Sequence, residues 1–176
     1  ELGRLSEVTG ESLKELEAWK LTVRDAGSDV GGFFGSLKML NDEMANLQNF
    51  GSSNLPMVLN RIGVSVTSGG KLKKGTELLK DIAGALSKFD KRQAVNFGKT
   101  LGLDEGTIIV LQRYGEGIGK IVKQNEKRAL ISRQDVLNGM AYQKMLSELK
   151  QTFLSLEKAV VPEILKALKE IMPQLE

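Results

Sequence analysis

Neither cysteine nor histidine occurs among the 176 residues of this chain. The first absence excludes disulfides and thiolate metal sites and leaves the redox compartment open. The second removes histidine-based triads, the usual zinc hydrolase sites and the commonest neutral-pH general base. Carboxylate, lysine and tyrosine mechanisms remain open. No apolar run approaches the ~20 residues that span a bilayer, so no transmembrane segment is expected, and no signal peptide is read from the first residues. Aromatics make up only 5% of the chain, so aliphatic side chains must supply most of the burial. That suits helix packing better than a β-sandwich. An excess of one charge is also lacking. Twenty-five basic residues against 22 acidic ones leave a formal net charge of +3, with the signs interspersed, and this does not by itself imply nucleic-acid binding.

What is present describes a folded chain. Hydrophobic residues at 41% and charged residues at 27% mark a globular composition. The length allows one domain, or one domain with an extension. The first residue is Glu1, and the expectation is a piece of a longer chain.

Apolar spacing predicts a run of short helices. Leu13, Leu16, Trp19 and Val23, with the stem of Lys20, form one face of a helix over 11–26 that Gly27 stops. Ser28 is placed to cap a second helix over 29–49, carried by Leu37, Leu40, Met44 and Leu47. Its first turns hold Gly31, Gly32 and Gly35, each costing about 1 kcal/mol against alanine in a helix interior. Either another helix approaches closely there or the first turn is frayed. Asn54 is expected to cap a short helix with Pro56 in its first turn and Leu55, Val58, Leu59 and Ile62 on its buried side. Residues 64–74 carry the only strand character, with a turn at Ser68, Gly69 and Gly70: a small hairpin or an extended loop. Thr76 is expected to cap the next helix, through Leu78, Leu79, Ile82, Ala83 and Leu86. Asp90 caps one through Ala94, Val95, Phe97 and Leu101, closed by Gly102. Asp104 caps another through Ile108, Ile109 and Leu111. Gly115, Gly117 and Gly119 interrupt the pattern, and a basic helix follows through Lys120, Lys123, Lys127 and Arg128.

The last signal is the longest. From a cap at Ser132, the residues Tyr142, Met145, Leu149, Phe153, Leu156, Val160, Ile164, Ala167, Ile171 and Leu175 step by three or four. Pro162 either kinks this helix or starts a new one. The expected fold is therefore all-α. A compact bundle of short helices over 1–130 is followed by a long amphipathic helical extension over 131–176. Tyr142, Met145, Leu149, Phe153, Leu156, Val160, Ile164 and Ile171 form a packing stripe that favours self-association.

No constellation carries chemistry convincingly. Gly115-Glu-Gly117-Ile-Gly119-Lys120 follows a helix rather than a strand and matches neither dinucleotide nor P-loop spacing. Ser68-Gly-Gly-Lys71 reads as a turn. Glu11-Ser12 shares one dipeptide with lytic transglycosylases, without the segment that follows it there, and a helix first turn explains it. The pairs Asp42-Glu43 and Asp104-Glu105 read as helix faces or ends rather than paired catalytic carboxylates. The basic residues Lys120, Lys123, Lys127, Arg128 and Arg133 lack interleaved aromatics, so nucleic-acid contact has little support and a solvated face is the better account. No catalytic, cofactor-binding or metal-ligating residue is assigned.

The order of the segments carries a resemblance. Leu16 and Trp19 in one helix, Gly27 and Phe34 opening the next, Leu59-Asn-Arg-Ile-Gly63-Val64, Leu78 to Leu86, then Ala94, Lys99, Leu101-Gly-Leu-Asp-Glu-Gly106 and Leu111, resemble a segment of phage and prophage tail tape-measure proteins. The likeness spans roughly residues 11–120 and departs from the family at Gly31-Gly32 and over 120–133. It implies a non-enzymatic structural role: a helical segment of a chain that fills the lumen of the tail tube during assembly and helps set tail length. It also implies tube subunits and tail assembly chaperones as partners. The place would be the virion tail, and the bacterial host cytoplasm during assembly. At about 1.5 Å per helical residue, this chain alone is too short to measure a whole tail. Two other readings stand beside it: a free-standing helical interaction module using the 136–175 stripe, and a muramidase-like hydrolase using Glu11 or Glu105.

Overall fold

The computed structural model describes residues 2–129 and 138–151. The chain divides into two compact units, Glu1–Arg133 and Gln134–Glu176. The first is built from α1 (Leu2–Thr9), α2 (Leu13–Asp25), α3 (Val30–Phe50), α4 (Leu55–Arg61), strands β1 (Thr67–Ser68) and β2 (Lys71–Leu72), α5 (Gly75–Leu86), α6 (Lys91–Thr100), α7 (Glu105–Tyr114), a 3-10 turn (Gly115–Gly117) and α8 (Ile118–Arg128). In the second, residues 138–151 are helical. The fold is all-α, as expected, with one antiparallel hairpin that pairs Thr67 with Leu72 and Ser68 with Lys71.

The core is aliphatic around one aromatic stack. Trp19 of α2 lies 5.2 Å from Phe33 of α3, ring centre to ring centre. Leu16, Leu37, Leu40, Leu59, Leu78, Leu79, Ile82, Leu86, Ile108 and Leu111 are fully buried around them. Helix α5 sits in the middle and packs on α3, α7 and the 3-10 turn. Its apolar residues recur at positions 78, 79, 82, 83, 85 and 86, so most of its circumference faces other helices. Helix α8 packs along α2. There Asn125 donates to the buried Thr22 hydroxyl at 3.0 Å, and Arg128 reaches Asp25 at 2.9 Å. Hydrogen bonds from Arg128 and Arg24 hold the Asp25 carboxyl below its ordinary range.

Acidic caps start three helices. Asp29, Asp90 and Asp104 each have extended backbone and accept from amides two or three residues on, at Gly32, Gln93, and Gly106 with Thr107. Three other expected caps are corrected. Asp29, not Ser28, caps α3, because its carboxylate takes the Gly32 amide. Asn54 makes no side-chain cap; the Leu55 amide donates instead to the Ser53 hydroxyl at 3.0 Å. Thr76 lies inside the first turn of α5 rather than before it, and Lys74 stands at the cap, its amide donating to Glu77 at 3.1 Å. Helix α1 was not anticipated. Only Leu2 and Leu5 of its apolar residues pack on the core, and Val8 is exposed, so its periodicity is faint. Glu11 falls between α1 and the Ser12 cap of α2, not within a helix first turn.

Close approach explains one of the early α3 glycines. A Cβ on Gly32 would lie 2.8 Å from Cγ of Asp104, whereas one on Gly35 would meet nothing within 4 Å. Helices α6 and α7 also approach closely. A Cβ on Gly98 would overlap the Ile108 side chain, which is itself completely buried. Gly98→Ala is expected to destabilise the domain by about 1–3 kcal/mol through overpacking. Ile108→Val in the same chain should recover part of that loss, and urea unfolding of the two single variants and the double variant checks it.

Candidate functional site

Among the carboxylates singled out from the sequence, Glu11 has the most unusual surroundings. It is only 2% exposed. One oxygen accepts from the Thr76 amide at 3.1 Å and the other from the Thr76 hydroxyl at 2.9 Å. The connection that carries it is pinned on both sides. Ser6 donates to the Glu11 carbonyl at 2.6 Å, and Lys74 donates to the Gly10 carbonyl at 2.8 Å. Burial pushes the Glu11 carboxyl above its ordinary range. The Thr76 bonds and the charge of Lys74 pull it back, while Glu15 adds to the rise. Glu15 itself is paired with Lys80 of α5 at 2.7 Å.

This arrangement fixes a helix end. The first amides of α5 have no partner within their own helix, and the turn that bears them is buried. Glu11, reaching in from another part of the chain, satisfies the Thr76 amide that water cannot reach. A general acid needs a face open to substrate, and both Glu11 oxygens are turned into the α5 turn.

The other acidic positions are likewise engaged. Asp104 holds the first turn of α7 through Gly106, Thr107 and the Thr107 hydroxyl, and its own amide donates to Ser36 of α3 at 2.9 Å. Glu105 points away from it toward Lys99, at 3.5 Å. Asp42 pairs with Lys38 one turn back, at 2.7 Å, while Glu43 accepts from Ser53 at 2.6 Å. Neither adjacent pair therefore converges on one space. No group of three or more acidic side chains placed to hold a metal ion occurs among the described residues.

Depressions lined by described residues mark the surface of the first unit. A groove of about 530 Å³ runs along α5, between the 62–65 loop and the start of α8. Its charges are already paired: Lys73 with Asp81 at 2.7 Å, and Lys88 with Glu116 at 3.6 Å. A smaller cleft of about 220 Å³ lies between α3, α4 and the α6–α7 turn. The glycine segment from Gly115 to Lys120 forms the 3-10 turn and the first turn of α8, and Gly119 is already helical. In the basic segment, Arg128 is tied to Asp25 and Asn125. Arg133 lies outside the described residues.

In the second unit the expected stripe is described at three positions. Tyr142, Met145 and Leu149 are exposed, as are Met140 and Leu146 beside them. Phe153, Leu156, Val160, Ile164 and Ile171 lie outside the described residues, as do the Ser132 cap and the Pro162 kink. No helix among the described residues is long and apolar enough to cross a membrane.

No family model, no curated protein and no solved structure matches the chain. Sequence reasoning missed the Glu11–Thr76 and Thr22–Asn125 contacts. The partners are 65 and 103 residues apart, and no local pattern joins them. The only local signal at Glu11 is its place between a helix stop at Gly10 and the Ser12 cap.

The pH dependence follows from the raised Glu11 carboxyl. The folded state holds the Glu11 proton more tightly than the unfolded chain does. Its contribution to stability is therefore complete below the ordinary carboxyl range and is lost as pH rises through the folded pKa. Measured against Glu11→Gln, the wild-type chain should gain relative stability as pH is lowered through that window, and the difference should level off above it. Glu11→Ala, which strands the Thr76 amide and hydroxyl, should cost about 1–3 kcal/mol. Denaturant titrations between pH 4 and 8 read both effects.

Proposed function

We propose that the chain is a non-enzymatic structural segment of a phage or prophage tail tape-measure protein, acting through packing and association rather than through chemistry. The observation that carries the reading is the order of its segments. Within it, the run Leu59 to Gly106 folds as the end of α4, the hairpin, α5, α6 and the start of α7; Asp90 and Asp104 cap helices there, Gly98 lies at a helix crossing, and Gly69-Gly70 make the hairpin turn. The carboxylates a hydrolase would need support it further. Glu11 is spent on the α5 turn, and Glu105 sits in an exposed ion pair with Lys99. The partners proposed on this reading are tube subunits and tail assembly chaperones, and the proposed place is the tube lumen of the virion tail.

The coding frame and its neighbours test the reading. A long helical continuation of the frame, beside genes for tube and tail assembly proteins, is the expected result. A frame that stops close to residue 176, among unrelated genes, would overturn it.

The exposed apolar residues favour self-association through the second unit, and the same face would serve the alternative of a free-standing interaction module. Tyr142, Met145 and Leu149 are 61%, 63% and 65% exposed, and a stripe of this kind gains by finding an apolar partner. The double variant Met145→Glu/Leu149→Glu is expected to lower the weight-average mass seen by light scattering at high protein concentration. Both positions are exposed, so the helical content should be unchanged. An unchanged mass would remove the stripe as an association surface.

A further inference from the structure

The smaller cleft holds a carboxylate without a cation. It is lined by Met39 and Glu43 of α3, Leu55 and Val58 of α4 with the preceding Asn54, and Leu101-Gly102 after Thr100 at the end of α6. Glu11, Asp29, Glu77, Asp90 and Asp104 lack a lysine or arginine partner too, but each accepts from a backbone amide at a helix start. Glu43 holds no helix end: its bonded partner is the neutral Ser53 hydroxyl, which donates to Oε2 at 2.6 Å. No lysine or arginine nitrogen comes within salt-bridge distance of it among the described residues. The neighbouring walls at Met39, Leu55, Val58 and Leu101 are apolar.

We propose that this cleft is a binding subsite for an alkylammonium group, occupied by the side chain of a lysine presented by a partner protein. Three features choose this occupant. A volume of about 220 Å³ falls below the ~300 Å³ at which pockets begin to take whole drug-sized ligands, and it suits one long side chain. The chemistry of the lining is divided as lysine is divided, with apolar walls for the four-carbon stem and one anionic group for the head. Size decides between lysine and arginine: the cleft is small and holds one carboxylate, and an ammonium is a compact point charge, whereas a guanidinium is a wider planar fork.

The surface beside the cleft suits a protein partner. Met39, Glu43 and Phe50 follow one another along α3 at intervals of four and seven residues, which puts them on one side of the helix. Phe50 is 76% exposed, and Met57 on α4 is 57% exposed. An exposed aromatic ring in line with a cleft that holds an uncompensated charge offers a partner both an apolar footing and a fixed point.

Methyl NMR of the full chain tests the assignment with n-pentylammonium as the probe and n-pentanol as its uncharged counterpart. Saturable shifts confined to Met39, Leu55, Val58 and Leu101, with the ammonium binding more tightly than the alcohol, are the expected result. Glu43→Gln keeps an acceptor for Ser53 and should weaken the ammonium about fivefold or more, leaving the alcohol unchanged. Equal responses to the two probes, or no effect of Glu43→Gln on the ammonium, would overturn the subsite. A lysine capped at both ends should reproduce the ammonium shifts. Tighter binding of spermidine than of the capped lysine at the same methyls would overturn the protein source, as would shifts of those methyls with protein concentration alone, which would give the place to a second copy of this chain.

Discussion

Helix α5 enters the core with its first turn buried, and that turn needs a hydrogen-bond acceptor which no nearby residue of α5 provides for Thr76. Glu11 supplies it from 65 positions earlier in the chain. Much of the first unit follows from that contact. It fixes the link between α1 and α2 against the start of α5, and Lys80, farther along α5, reaches Glu15 of α2. With α5 held in this position, Leu78, Leu79, Ile82 and Leu86 face α3 and α7. The Trp19–Phe33 stack then joins α2 to α3, and Asn125 joins α8 to α2. A buried, ordinarily charged group in such a place costs free energy unless it is fully hydrogen-bonded, and both oxygens of Glu11 are.

The chain uses its small residues in the same spirit. With few aromatics to fill space, the helices approach closely: Gly98 lets α6 lie against Ile108, and Gly32 lets α3 meet the Asp104 cap of α7. Asp104 thus serves two elements, holding the first amides of its own helix and touching α3, where its backbone amide also finds Ser36. Asp104, which beside Glu105 suggests a carboxylate pair, is thereby explained as a helix end.

Local features of the fold are legible in the sequence. The caps at Asp90 and Asp104, the stop at Gly27, the hairpin turn at Gly69-Gly70 and the apolar face of α5 are all written in short windows of sequence, because caps, turns and periodic burial act over three or four residues. Features that depend on distant partners are not. Thr76 looks like a cap until Glu11 is seen to bind it. Asn54 has the composition of a cap, but Ser53 takes the amide. Helix α1 has too few buried residues to show a period. The uncompensated charge of Glu43 is a statement about which lysines are not nearby, and a sequence with 25 basic residues cannot make it. The order of segments on which the proposed tape-measure reading rests was legible from the start, and what the fold adds is a physical task for several glycines and aspartates along it.

Buried polar residues hold helix ends in this domain, and Glu11 at the first turn of α5 is the principal case. Amide hydrogen exchange at Thr76 tests it most directly. An amide at a helix start ordinarily exchanges by local fraying, whereas one buried and bound to a distant carboxylate exchanges only when the domain opens. The account predicts that the Thr76 amide exchanges as slowly as the core amides of α5 at Ile82 and Ala83, and that Glu11→Gln leaves it protected while Glu11→Ala releases it. Rapid exchange at Thr76 in the wild-type chain, at the rate of an exposed helix end, would contradict it.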